Sequence, residues 1–210
     1  MLNAFCEFIL QGGIKIWGAH ASRVFRCASR GTEGRGKTFL NADRGQIGRW
    51  QIADYVAGLH QLAATRPFLD LTRVGILGGS YSGFFAIRAM LFAPDMYRVG
   101  VAVDPITDMA MHWRNEGLLG PPETNPQGYE YASNLRFADS LRGKLLLIHG
   151  TSDIDVPISH TMRMVDALIR AGKPYDLLLL PEQPHVASGI SWAYMRDAIR
   201  RYFDEHLRPQ

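Results

Sequence analysis

Residues 73–86 read RVGILGGSYSGFFA. RVGILGG (Arg73 to Gly79) is an apolar run of buried-strand length, and GFFAIRAMLFA (Gly83 to Ala93) is a uniformly apolar helix that Pro94 ends. Ser80 falls in the tight turn between them. A strand and helix that are both apolar on all sides need cover from both directions, which a parallel sheet with helices on its two faces provides.

The same alternation continues on either side. VFRCA (Val24 to Ala28) reads as a short strand leading into a Gly-rich loop, and Ile52, Val56, Leu59 and Ala63 follow at helical spacing up to Pro67. VGVAV (Val99 to Val103) and KLLLIHG (Lys144 to Gly150) read as central strands. The chain closes with a helix from Ser159 to Ala171 (Met162, Val165 and Ile169 inward), the strand YDLLLL, and a helix from Ile190 to His206. On this last helix Trp192, Met195, Ile199 and Tyr202 share a face. The expectation is an α/β domain with about five parallel strands. About forty residues between the two central strands, rich in Pro, Gly, Asn and aromatics, form an excursion over the site. Residues 1–20 show neither period 2 nor 3.6, and Gly12, Gly13 and Gly18 interrupt them; they are either a ragged edge strand or a loosely docked segment.

Composition excludes several classes. At 210 residues, 47% hydrophobic and 20% charged, the chain is globular and not disordered. Its apolar runs are far shorter than the ~20 residues of a bilayer-spanning helix, and Glu7 with no preceding basic stretch argues against a secretory signal, so a soluble protein with no membrane partner is expected. Two cysteines make no disulfide framework, and no Cys/His cluster has zinc spacing, so neither metal nor cofactor is implied. The net charge of +3 is scattered, which gives nucleic-acid binding no support.

The chemistry lies at three strand ends. Ser80 in GGSYSG occupies a strand-to-helix turn that lifts its hydroxyl above the sheet, and the backbone N–H of Tyr81 is placed to serve as an oxyanion donor. A serine needs a base, and the base an orienting carboxylate. Asp153 follows KLLLIHG in GTSDIDVP, and His185 follows YDLLLL in PEQPHVAS. Carboxyl ends of parallel strands share one edge, so these groups can converge although they are distant in sequence. Taken singly, the serine is a turn residue, the aspartate a helix cap and the histidine a loop residue. Together, in the order Ser, Asp, His, they match the α/β-hydrolase arrangement.

A rival motif is GTEGRGKT (Gly31 to Thr38), which has phosphate-loop spacing with Lys37 and Thr38, while VGVAVD ending at Asp104 imitates a magnesium-holding strand. Such a loop must open a helix, yet Asn41, Asp43, Gly45 and Gly48 follow immediately. A nucleotide-binding protein is therefore the alternative of a different class.

From about Val24 to Pro209 the chain resembles the catalytic domain of the prolyl oligopeptidase family, in its dipeptidyl peptidase IV and acylaminoacyl peptidase branches. The resemblance rests on RGTEGRGKTF, PFLDLTRVGILGGSYSGFFA, LLLIHGTSDIDVP and PEQPHVASG. It implies an α/β-hydrolase fold over residues 23–210, with residues 1–22 matching poorly. It also implies a serine peptidase acting on peptides, with Ser80 as nucleophile, Asp153 as orienting acid and His185 as base. By the same match Tyr81, Val156 and Trp113 lie near the pocket for the residue before the cleaved bond, and RGTEGRG is a family loop. Ser82 stands where the family usually has glycine. The family's β-propeller and its tyrosine-bearing second oxyanion loop have no counterpart here. The expectation is thus an N-terminally truncated piece whose propeller a partner chain would supply, or a catalytically impaired remnant.

Overall fold

The computed structural model describes residues 6–11, 22–112 and 116–207. Six strands form one sheet in the order β2-β1-β3-β4-β5-β6: β1 (Cys6–Gln11), β2 (Ser22–Cys27), β3 (Val74–Gly79), β4 (Tyr97–Val103), β5 (Lys144–Gly150) and β6 (Asp176–Leu180). β3 to β6 pair in parallel, while β1 is antiparallel to both β2 and β3. Five strands therefore run one way, as the sequence predicts. The sixth, β1, comes from the segment that the sequence leaves unassigned and lies inside the sheet instead of at its edge.

The helices are α1 (Lys37–Leu40), α2 (Trp50–Thr65), α3 (Tyr81–Phe92), α4 (Glu116–Leu119), α5 (Pro126–Tyr131), α6 (Ser159–Arg170) and α7 (Gly189–His206). β5 shows why central strands read as unbroken apolar runs: Leu145 and Leu147 enter a core shared with α2, α3 and α6, while Leu146 and Ile148 enter a second core shared with α7. Both faces are covered. Among the described residues, no helix is long and apolar enough to cross a membrane.

Two helix faces differ from their predicted settings. α6 buries His160, Thr161, Met164 and Leu168, leaving Ile169 61% exposed and Met162 at the surface. The predicted and observed faces both have helical period, and polar partners decide between them: Thr161 pairs with His149 of β5, and Thr107 bonds the His160 carbonyl. On α7, Met195 and Phe203 are buried, Ile199 and Tyr202 are partly covered, and Trp192 is 43% exposed.

The excursion is tied down by polar contacts. Gly45 N–H donates to Leu118 O, Asn125 Nδ2 to Gly45 O, and Asn134 Nδ2 to Phe84 O. Arg88, fully buried on α3, donates to Tyr131 O and lies among the rings of Phe84, Phe92, Tyr131 and Phe137.

Candidate active site

Ser80 sits one residue beyond β3 with φ 55°, a left-handed value that a non-glycine residue adopts at a cost. Ser80 N–H donates to Val103 O at 2.8 Å, and its carbonyl accepts from Gly83, Phe84 and Ile106. The turn needs glycines at its neck. A Cβ on Gly78 would lie 2.1 Å from the Ser82 carbonyl oxygen, and one on Gly83 would lie 2.9 Å from the Pro105 side chain. Ser82 itself is accommodated and buried. Although Ser80 precedes α3, its side chain makes no capping hydrogen bond, so the hydroxyl is not committed to the helix. Tyr81 opens α3, where first-turn N–H donors have no acceptor within the helix.

Asp153 divides its carboxylate between two tasks. Oδ1 accepts the N–H groups of Asp155 and Val156, each at 2.9 Å, which fixes the turn after β5. Oδ2 lies 2.7 Å from His185 Nδ1. The Asp153 side chain is fully buried, and that of His185 is 20% exposed. His185 is held by its loop: Ser152 N–H donates to Gln183 O, Thr151 N–H to Leu180 O, and Glu182 N–H to Thr151 Oγ1. Gly150 lets the two loops touch, since a Cβ there would meet Gln183 O at 2.4 Å.

Two further residues complete this rim. Asp104, one residue beyond β4, accepts the Gly150 N–H at 2.8 Å, and His149 points into the same space. His149 Nε2 lies 2.9 Å from Val156 O and Nδ1 lies 2.7 Å from Thr161 Oγ1. A carbonyl only accepts, so Nε2 carries a hydrogen toward Val156 O, while the Thr161 hydroxyl can serve Nδ1 as donor or acceptor. Asp104, His149 and Asp153 offer ligand atoms within 4.8 Å of one another, the spacing of a metal centre. Their polar atoms are engaged with Gly150 N–H, Val156 O and His185. Asp104 had a sequence signal, the acid ending VGVAVD, but its role shows only when β4 and β5 lie side by side. Burial pushes the Asp104 carboxyl above the usual range, and Asp153 adds to this. Burial and His112 push the nearby His160 down to about 4.

The other predicted residues fare unevenly. Tyr81 and Val156 are both buried in the α2/α3/α6 core, with the Tyr81 ring edge-on to Phe85. Trp113 lies outside the described residues. GTEGRGKT does not form a phosphate cradle: the helix it opens is the four-residue α1, Lys37 and Thr38 are exposed, and Gly31 N–H closes the loop onto Phe39 O. Asp104, the supposed magnesium ligand of that alternative, is spent on Gly150.

A parallel sheet with helices on both faces, a strained serine turn after β3 and an acid–histidine pair after β5 and β6 define an α/β-hydrolase fold. Solved structures agree: the putative dipeptidyl aminopeptidase IV of Bacteroides ovatus superposes with a TM-score of 0.81 at 33% identity, over 85% of this chain and 25% of that one. Mouse dipeptidyl peptidase 8 is 38% identical over 162 residues, 75% of this chain and 18% of the relative. Mouse inactive dipeptidyl peptidase 10 is 30% identical over 190 residues, 89% of this chain and 24% of the relative. Residues 16–210 match the prolyl oligopeptidase family, and the chain belongs to that family. It spans about a fifth to a quarter of the length of these relatives.

Proposed function

We propose that this chain is a serine peptidase domain acting by acyl transfer through Ser80. His185 Nε2 takes the hydroxyl proton as Oγ bonds to the scissile carbonyl carbon, and the Tyr81 N–H faces the developing oxyanion. Asp153 keeps the Nδ1 proton and orients the ring. The leaving amine then departs with the proton from His185, and water, deprotonated by the same ring, releases the acyl group. The 2.7 Å pairing of His185 Nδ1 with Asp153 Oδ2 carries this reading, because it leaves Nε2 as the free basic atom.

Peptides that release an N-terminal dipeptide are the proposed substrates, in line with the names of the relatives, and N-acyl aminoacyl peptides follow only from the sequence resemblance; Tyr81, Val156 and Trp113 are the proposed pocket residues. One relative is named inactive, so family membership leaves turnover to be measured. Hydrolysis of dipeptidyl and N-acyl aminoacyl p-nitroanilides, beside simple esters, tests it. The expected result is turnover by wild type and none by Ser80→Ala. Equal rates in both would overturn the proposal, whereas a labelled but non-hydrolysing protein would mark an impaired hydrolase.

A further inference from the structure

Two adjacent strands, β4 and β5, each end in a buried acid aimed at the same small space. Asp104 is 4% exposed and Asp153 is 6% exposed. Of the non-glycine residues with positive φ, the described part of the chain has three: Ser80, Asp104 (φ 44°) and Glu182 (φ 58°). All three lie just beyond a strand's carboxyl end, and all three belong to the rim that carries the proposed triad. Backbone strain collected in this way needs surrounding structure to hold it. At Asp104 the holders are its own N–H to Ile148 O and its Oδ1 from Gly150 N–H, both 2.8 Å.

Asp104 and Asp153 bring two buried carboxyl groups to this space. Asp104 faces His149 from β5, Asp153 from the following turn and His185 from the loop after β6; His160 of α6 acts on Asp153 and His149 from behind. His149 Nε2 lies 3.9 Å from Asp104 Oδ1 and 3.5 Å from Asp153 Oδ2, with its hydrogen directed to Val156 O at 2.9 Å. His160 is buried and held neutral over the ordinary pH range. His185, paired with Asp153 at 2.7 Å, is the base that becomes a cation during the proposed acyl transfer, and Asp104 is the second carboxyl group near it.

Resting on the triad reading above, we infer that Asp104 is a positioning residue for His185: a second buried carboxylate that, beside Asp153, stabilises the imidazolium and holds the turn carrying Asp153 through Gly150. Its direct bond is to Gly150 and its action on His185 is electrostatic, so removing the charge while keeping the acceptor separates the two roles. Asp104→Asn does this, since the amide oxygen still accepts from Gly150. Burial favours the neutral acid, and the His185 cation favours the anion, so ionisation of Asp104 is linked to protonation of His185.

The test is the pH dependence of the rate at which a fluorophosphonate labels the protein, for wild type, Ser80→Ala and Asp104→Asn. Loss of the second negative charge makes His185 harder to protonate, so the acid limb of Asp104→Asn should move to lower pH by about half a unit or more. The plateau rate should fall at least about threefold, with an unchanged melting temperature. Ser80-dependent labelling with the wild-type midpoint and rate in Asp104→Asn would overturn the inference alone. Labelling that survives Ser80→Ala would overturn the triad reading and this inference with it. A second measurement needs no variant: in the wild-type protein the Asp104 carboxyl carbon resonance should move through the pH range in which the His185 ring titrates, and a flat response there would also overturn the inference.

Discussion

His185 Nδ1 and Asp153 Oδ2 lie 2.7 Å apart, with the aspartate fully buried and the histidine at the surface of the sheet rim. The pairing joins two loops that follow neighbouring parallel strands, β5 and β6, and the backbone bonds from Thr151 and Ser152 across to Leu180 and Gln183 hold it in register. Asp153→Asn retains an oxygen for the Asp155 and Val156 N–H groups but presents its amide to His185, which favours the wrong tautomer. Fluorophosphonate labelling should slow by on the order of 10³ to 10⁴, with thermal stability nearly unchanged. Retention of the wild-type rate would show that this pair does not serve the serine.

Gly150 is where those loops touch. Gly150→Ala puts a methyl group 2.4 Å from Gln183 O and 2.8 Å from Pro184 O, so the segment carrying His185 must move. Labelling should drop by about tenfold or more, since displacements near 1 Å at a reacting group cost about a hundredfold. An alanine variant with the wild-type labelling rate would mean that this loop adjusts without moving the base.

Ser80 carries a conformational cost for its position. With φ 55° and ψ −121°, Ser80→Gly relieves strain and should raise the unfolding free energy by about 1 kcal/mol, even after the added entropy of glycine in the unfolded chain, while abolishing labelling. Urea titration of the two proteins checks this, and a loss of stability would contradict it.

Arg88 is buried with Nε and Nη1 lacking a hydrogen-bond partner, and burial lowers its pKa to about 10. An apolar chain of similar length removes the desolvated charge and keeps the packing. Arg88→Met should therefore match wild type within about 1 kcal/mol or exceed it, whereas Arg88→Ala should lose about 3 kcal/mol to the cavity among the four rings.

His160 makes stability fall in mild acid. With a folded pKa of about 4 against 6.5 unfolded, the unfolded chain binds the extra proton between those values, so the contribution is fully present above 6.5 and declines as pH falls toward 4. The loss is on the order of 3 kcal/mol, and His160→Asn should flatten the dependence of unfolding free energy on pH. An unchanged slope in the variant would contradict the shift.

Much of this was legible in the sequence, because continuous apolar runs report burial on both sides. β3, β5 and α3 fall close to where RVGILGG, KLLLIHG and GFFAIRAMLFA place them. β1 was not legible, since its register comes from pairing with β2 and β3 and not from any alternation of its own. The face of α6 is only partly legible: Val165 packs against the core as expected, but Met162 and Ile169, at the same period, are exposed, and the choice rests on Thr161 meeting His149 across space. At the site, Ser80, Asp153 and His185 were visible as polar residues at strand ends. Asp104 looked like a nucleotide-enzyme acid until the sheet order put it beside Gly150.

Peptide mapping by mass spectrometry after fluorophosphonate treatment decides whether the hydroxyl at 80 is the activated nucleophile. A single adduct on Ser80, lost in His185→Ala although that variant stays folded, is the expected result. An adduct elsewhere, or one on Ser80 that forms equally fast without the imidazole, would contradict it.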